Sequence, residues 1–181
     1  MGPQKDFFCM KRNPVFLTAL RFGIGAAALG VLWVLFLYWT GQNPLGPKRT
    51  VAYLVPPVAA LASQWFVRRY YSEGPGLLKA WGTGLATVLV AASLSAIGVY
   101  GVGRMGGTKL LQRNLAEESR LLDAARKEFG TDQLNQEVYA QAKRSLPLTA
   151  GTPQGVANVD FQKKMLLGLL LSIPGGIFFR K

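Results

Sequence analysis

Four long apolar runs, Val15–Trp39, Val51–Val67, Leu77–Val102 and Met165–Phe179, contain no Asp, Glu or His. A helix needs roughly 20 apolar residues to cross a hydrocarbon core about 30 Å thick. The first and third runs reach that length, and the second and fourth approach it with a residue or two from their flanks. The pattern predicts an all-α, polytopic membrane protein with four transmembrane helices near 15–39, 51–67, 77–102 and 163–179. The polar stretch 108–147 reads as an amphipathic helical-hairpin insertion between spans three and four, all within one membrane domain of 1–181.

Composition fits that frame. Of 181 residues, 50% are hydrophobic, and 21 Lys and Arg oppose 9 Asp and Glu for a net charge of +12. In a soluble protein this excess would suggest nucleic acid as a partner. Here the cations mostly flank apolar runs: Lys11 and Arg12, Lys48 and Arg49, Arg68 and Arg69, Arg104, Lys163 and Lys164, Arg180 and Lys181. That placement suits anchors at the anionic headgroups of a lipid bilayer, so no nucleic-acid partner is expected.

Cys9 is the single cysteine and there is no His, which rules out an intrachain disulfide and a Cys/His zinc site. The first run is too long for a signal peptide, is interrupted by Arg21, and ends at Tyr38-Trp39-Thr40 without small cleavage-site residues. Pro3 and Asp6 spoil a myristoylation signal after Gly2. Met10 is an alternative functional start to Met1.

Pro14 suits the first turn of the first span. Arg21 stands two turns in: it can snorkel to nearby headgroups, or face the bundle as an intramembrane functional residue. Trp33, Tyr38 and Trp39 mark the far interface. Gly41, Pro44, Gly46 and Pro47 form a turn that sends the second span back antiparallel. Pro56-Pro57 must kink that span or sit at its start.

After Gly101–Gly107 the chain turns polar. Leu111, Leu115, Leu122 and Phe129 recur at helical spacing over Thr108–Gly130, with Gly130 as a helix stop. Thr131 or Asp132 would cap a second helix that Pro147 closes, leaving Leu148–Asn158 as a loop. Gly101-x-Gly103-x-x-Gly106 has a dinucleotide-site spelling but follows a membrane-length run rather than a strand, so no cofactor is expected.

Small residues recur every four positions: Ala19, Gly23 and Ala27; Ala91 and Ser95; Ala92 and Ala96; Gly168, Ser172 and Gly176. Such stripes let helices approach closely, within the chain or against another membrane subunit. Glu117, Glu118, Asp123, Glu128, Asp132 and Glu137 alternate with cations in the insertion, as on a solvated helix face. Nothing identifies catalytic or metal-binding residues, and the chain reads as a non-enzyme.

The segments Asn13-Pro-Val-Phe-Leu-Thr-Ala-Leu-Arg21-Phe-Gly23, Gly41-Gln-Asn43-Pro44-Leu-Gly46 and Arg69-Tyr-Tyr-Ser-Glu-Gly74 closely resemble the four-span bacterial membrane proteins grouped as domain of unknown function 4199. Phe161-Gln-Lys163-Lys164-Met-Leu-Leu-Gly168 is similar to the start of that family's last span, and Lys127-Glu-Phe-Gly130 to its hydrophilic insertion. The resemblance covers Asn13 to Lys181. It implies a bacterial inner-membrane protein with no established activity and brings no catalytic residues.

Four spans put both termini on one side. The N-terminal tail, the Arg68–Lys79 turn and the C-terminal tail carry eight Lys and Arg against two in Thr40–Thr50, which places the termini in the cytoplasm. The insertion opposes this with ten cations between its flanking spans, but it is near the length where the rule weakens. The expected function is that of an accessory or structural membrane component. The leucine face at Leu111, Leu115, Leu122 and Phe129 would be its contact surface for the membrane or a partner, either a second copy or another membrane protein. The alternative is a small transporter or channel subunit using Arg21 and the Pro56-Pro57 break.

Overall fold

A computed structural model describes residues 14–71, 74–129 and 133–180. The described residues form helices and turns with no strand: α1 (Pro14–Trp39), a short 3-10 turn (Pro47–Arg49), α2 (Thr50–Arg68), α3 (Gly76–Phe129), α4 (Gln133–Ala150) and α5 (Pro153–Phe178). Three segments are long and apolar enough to cross a membrane: Pro14–Trp39, Pro47–Arg68 and Gly76–Glu128. In α5 the apolar stretch begins only after Asp160, Lys163 and Lys164.

Local chemistry accounts for the helix ends. Gly41, at φ 72°, closes α1 by letting its own N–H reach Tyr38 and the Gln42 N–H reach Leu37. This pair of bonds satisfies carbonyls that the last helical turn leaves free. Thr152 caps α5 by accepting from the Gly155 N–H at 3.0 Å, and Pro153 fills the first turn. The expected Leu148–Asn158 loop is therefore reduced to a short link, because α4 continues through Pro147 to Ala150 and α5 starts at Pro153. The anticipated caps at Gly130, Thr131 and Asp132, like Cys9 and Met10, lie outside the described residues.

Pro56 and Pro57 both lie inside α2, which begins at Thr50 and runs through them. In α3 the helical path breaks at Gly107, whose φ of 61° no side-chain-bearing residue readily adopts. The break separates the apolar first part of α3 from its polar second part. The Gly101–Gly106 glycines are helical, with no strand before them.

Helix α3 packs against α1, α2 and α5, and α2 packs against α1, α3 and α5. Helix α4 lies against α3 and α5. The interior is small: Ala19, Ala27, Ala60, Ala80, Ala91, Ala92, Ser95 and Ser172 are buried, while Phe16, Leu29, Leu32, Val58, Leu170 and Phe178 face outward. Large apolar groups outside and small or polar groups inside is the arrangement expected when lipid surrounds the bundle.

The four-residue stripes mark the closest approaches. A Cβ on Gly168 would stand 2.4 Å from Val88 Cγ1, and one on Gly23 would meet Val90 at 2.8 Å and the Thr87 carbonyl at 3.0 Å. The branched valines of α3 thus sit over glycines of α1 and α5. Gly168→Leu should force α3 and α5 apart and destabilise the protein by about 1–3 kcal/mol or more. Gly82→Ala, where an added Cβ meets nothing within 4 Å, should leave stability unchanged or raise it by up to about 1 kcal/mol. Unfolding midpoints of the two variants in mild detergent provide the check.

Candidate functional site: a buried ion cluster

Extending the α5 stripe toward the helix start passes from Ser172 and Gly168 to Lys164 and then Asp160, and all of these are buried. The same spacing that brings glycine against α3 therefore carries a carboxylate and an ammonium into the interior. Asp160 and Lys164 are each fully buried, and Lys164 Nζ donates to Asp160 Oδ2 at 2.7 Å. Lys164 Nζ also donates to the Ser95 hydroxyl of α3. A Cβ placed on Gly30 of α1 would come within 3.9 Å of the same ammonium.

Arg49 completes the cluster from the 3-10 turn. It is 4% exposed, and its Nε lies 3.7 Å from Asp160 Oδ1. Arg49 Nε and Nη2 donate to the Tyr53 hydroxyl at 3.1 and 2.8 Å, one helical turn along. Lys163 and Lys164 both stand over the Tyr53 ring, with Nζ 5.5 and 5.7 Å from its centroid. Arg49 of the 3-10 turn and Lys164 of α5 thus meet on one carboxylate, and Tyr53 of α2 and Ser95 of α3 bind those two cations in turn. Arg49 Nη1 and Asp160 Oδ1 are buried without a hydrogen-bond partner, so the cluster is held by charge as much as by hydrogen bonds.

Gly30, beside the ammonium, lies nine residues before Trp39, the end of α1, about 14 Å along the axis. Charges buried this far inside the bundle are costly unless paired.

A polar clamp lies above the cluster. Asn43 Nδ2 donates to Glu117 Oε2 at 2.6 Å and to Asn114 Oδ1 at 3.4 Å, while Asn43 Oδ1 accepts from the Leu45 N–H. Asn114 Nδ2 donates to the Ala150 carbonyl, and Arg113 Nη1 to that of Gly41. A Cβ on Gly46 would stand 2.8 Å from both Asn43 Nδ2 and Glu117 Oε2, so a side chain there would push these latch groups aside. The Gly41–Gly46 motif is thereby explained as a latch between the α1–α2 turn and the second part of α3. A cavity of about 60 Å³ beneath it is lined by Arg49, Lys163, Asn114, Glu118 and Thr149.

Farther out, Tyr139 of α4 donates to Asp123 Oδ1 at 2.6 Å, and Lys143 donates to the Tyr139 hydroxyl at 2.7 Å. The Tyr139 bond holds the Asp123 carboxyl below the ordinary carboxylate range.

Ser95 and Lys164 have the side chains of a serine–lysine nucleophile pair. Lys164 Nζ is shared between the Ser95 hydroxyl and Asp160 Oδ2. No group of three or more His, Cys, Asp or Glu able to hold a metal occurs among the described residues.

The residues singled out from sequence fall elsewhere. Arg21 is exposed on α1 and stands apart from the cluster, lining a groove between α1 and α2. Leu111 is buried and packs in the chain's own core with Val34, Leu45, Val99, Val102 and Val156. Leu115 and Leu122 are half-buried, and the Phe129 side chain lies outside what is described. Arg49 and Lys164 depart from the anchor pattern: their neighbours Lys48 and Lys163 remain exposed, but they turn inward to Asp160. Asp160 belongs to no sequence motif, and it lies with Arg49 and Lys164 in the interior.

These features define an all-helical protein in which apolar, membrane-length helices enclose small residues and a buried ion cluster. The chain belongs to the family described as Protein of unknown function (DUF4199), whose model matches residues 21–181. No curated protein and no solved structure matches it.

Removing Asp160 would leave two buried cations without their counter-charge. Asp160→Ala should cost about 3–5 kcal/mol, whereas Asp160→Leu combined with both Lys164→Met and Arg49→Met should recover most of that loss. Chemical unfolding in detergent measures both, and equal stabilities for Asp160→Ala and the native protein would contradict the assignment.

Proposed function

We propose that the chain is a non-enzymatic accessory component of the bacterial inner membrane with four spans. The observation that carries this reading is the inverted burial of the bundle, with small, hydroxylated and charge-paired groups inside and large apolar groups outside. Helix α5 serves as the fourth span. Its 26 residues extend about 39 Å, and its two buried charges are matched internally rather than offered to lipid. The second part of α3 and α4 form the insertion, latched to the α1–α2 turn through Asn43, Asn114 and Glu117. Both termini are cytoplasmic, and the insertion lies on the opposite side, where it meets the membrane surface or a partner protein, either a second copy or another membrane protein.

Reporter fusions test the four-span arrangement. A fluorescent protein after Lys181 should fluoresce, and alkaline phosphatase fused after Lys127 should be active. Both sites reporting the same side would rule out α5 as a span.

A transporter or channel subunit is the second reading. It is favoured by Arg49 Nη1 and Asp160 Oδ1, buried charged atoms without hydrogen-bond partners, since ionisable groups inside a membrane bundle often serve ion pathways. On this reading, reconstituted vesicles should show proton or ion flux that Asp160→Asn abolishes. Flux no greater than in protein-free vesicles would exclude it.

A further inference from the structure

Between α1 and α2 a groove of about 700 Å³ opens sideways, lined along its length by Gly25, Leu29, Val51, Leu54 and Val58, with Arg21 at one end. The walls are apolar and outward-facing, as Leu29, Val51, Leu54 and Val58 are all largely exposed. Among the described residues Arg21 makes no hydrogen bond or ion pair. From Arg21 to Leu29 the groove follows eight residues of α1, about 12 Å. That is close to the depth of one leaflet, half of a core about 30 Å thick.

Among the described residues the charges around this end are all cationic. The Gly76 N–H donates to the Arg180 carbonyl at 3.1 Å, so the end of α5 meets the start of α3. Arg68, Arg69, Lys79 and Arg180 are exposed there, with no acidic residue among the described residues at this end. The ring contact of Phe22 with Phe66, centroids 5.7 Å apart, places Arg21 beside the end of α2 that carries Arg68 and Arg69. A guanidinium two turns inside a span reaches toward the headgroup level while its stem stays in the apolar zone, and its planar fork matches phosphate oxygens.

We propose that this groove is a binding site for one anionic glycerophospholipid, its phosphate on Arg21 and an acyl chain along Gly25–Leu29 and Val51–Val58. The cationic end selects against zwitterionic lipids, whose headgroups bring a positive charge into the same field. The site rests on the membrane reading above, and it assigns Arg21 to the lipid-facing side rather than to a path through the bundle. Gly25 gives the chain room to lie flat, since a Cβ there meets nothing within 4 Å.

Native mass spectrometry of the full chain released from mild detergent, with phosphatidylglycerol and phosphatidylcholine offered in equal amounts, tests the site. The expected result is one retained phosphatidylglycerol per chain, preferred about fivefold or more. Arg21→Gln should bring the preference toward parity, and Gly25→Leu should lower retention of both lipids while leaving the unfolding midpoint unchanged. Equal retention of both lipids by the native chain would overturn the proposal, as would a preference that Arg21→Gln leaves intact. A dimer that dissociates in Gly25→Leu would assign the groove to a second copy instead. Failure of the membrane reading looks different: the chain would then purify without detergent and carry neither lipid.

Discussion

A carboxylate with no exposed surface has to find positive charge within the protein, and Asp160 sets the arrangement around it. Lys164 supplies one cation from the next turn of α5, and Arg49 supplies the other from the turn before α2. Lys164 also reaches Ser95 of α3 beneath Gly30 of α1. Breaking a buried pair costs more than forming it returns, so a packing of α5 that separated Asp160 from Arg49 and Lys164 would be penalised. Apolar contacts alone would tolerate a rotated α5; a carboxylate that must meet Arg49 would not.

The same four-residue periodicity serves both packing and charge. Gly168 and Gly176 bring the backbone of α5 against Val88 and Trp81 of α3, and that closeness lets the short Ser95 side chain reach Lys164. Gln64 uses the space at Gly84 and Gly175 to donate to the Ser172 carbonyl at 2.9 Å. Dispersion contacts and short polar bonds replace the hydrophobic drive that lipid removes. The Asn43 latch then carries this order out of the bundle into the second part of α3.

Much of this was legible in the residues. The first three apolar runs, the turn at Gly41–Pro47 and the small-residue stripes mark features that the helices bear out, and the family model bears out the resemblance over nearly the whole chain. The ion cluster was not legible, although one signal was present: the Gly168–Ser172 spacing runs back unbroken to Lys164 and Asp160. Lys163-Lys164 reads as a headgroup anchor because adjacent lysines look alike in sequence, while on a helix they point about 100° apart. Leu111 shows the converse: its spacing announces an apolar face, but spacing alone does not distinguish a partner surface from the chain's own core.

Sequence alone determined that the chain is helical, that its helices are apolar over membrane lengths, and where glycine permits close approach, because these follow from hydropathy, period and backbone freedom. Tertiary structure decided which charges turn inward, that Arg21 lies on the outer groove, and that the Gly41–Gly46 segment is a latch. Those outcomes depend on which helices become neighbours, a relation between residues up to 111 positions apart, as between Arg49 and Asp160. No local pattern carries such a relation, because it is settled by the mutual fit of whole helix faces.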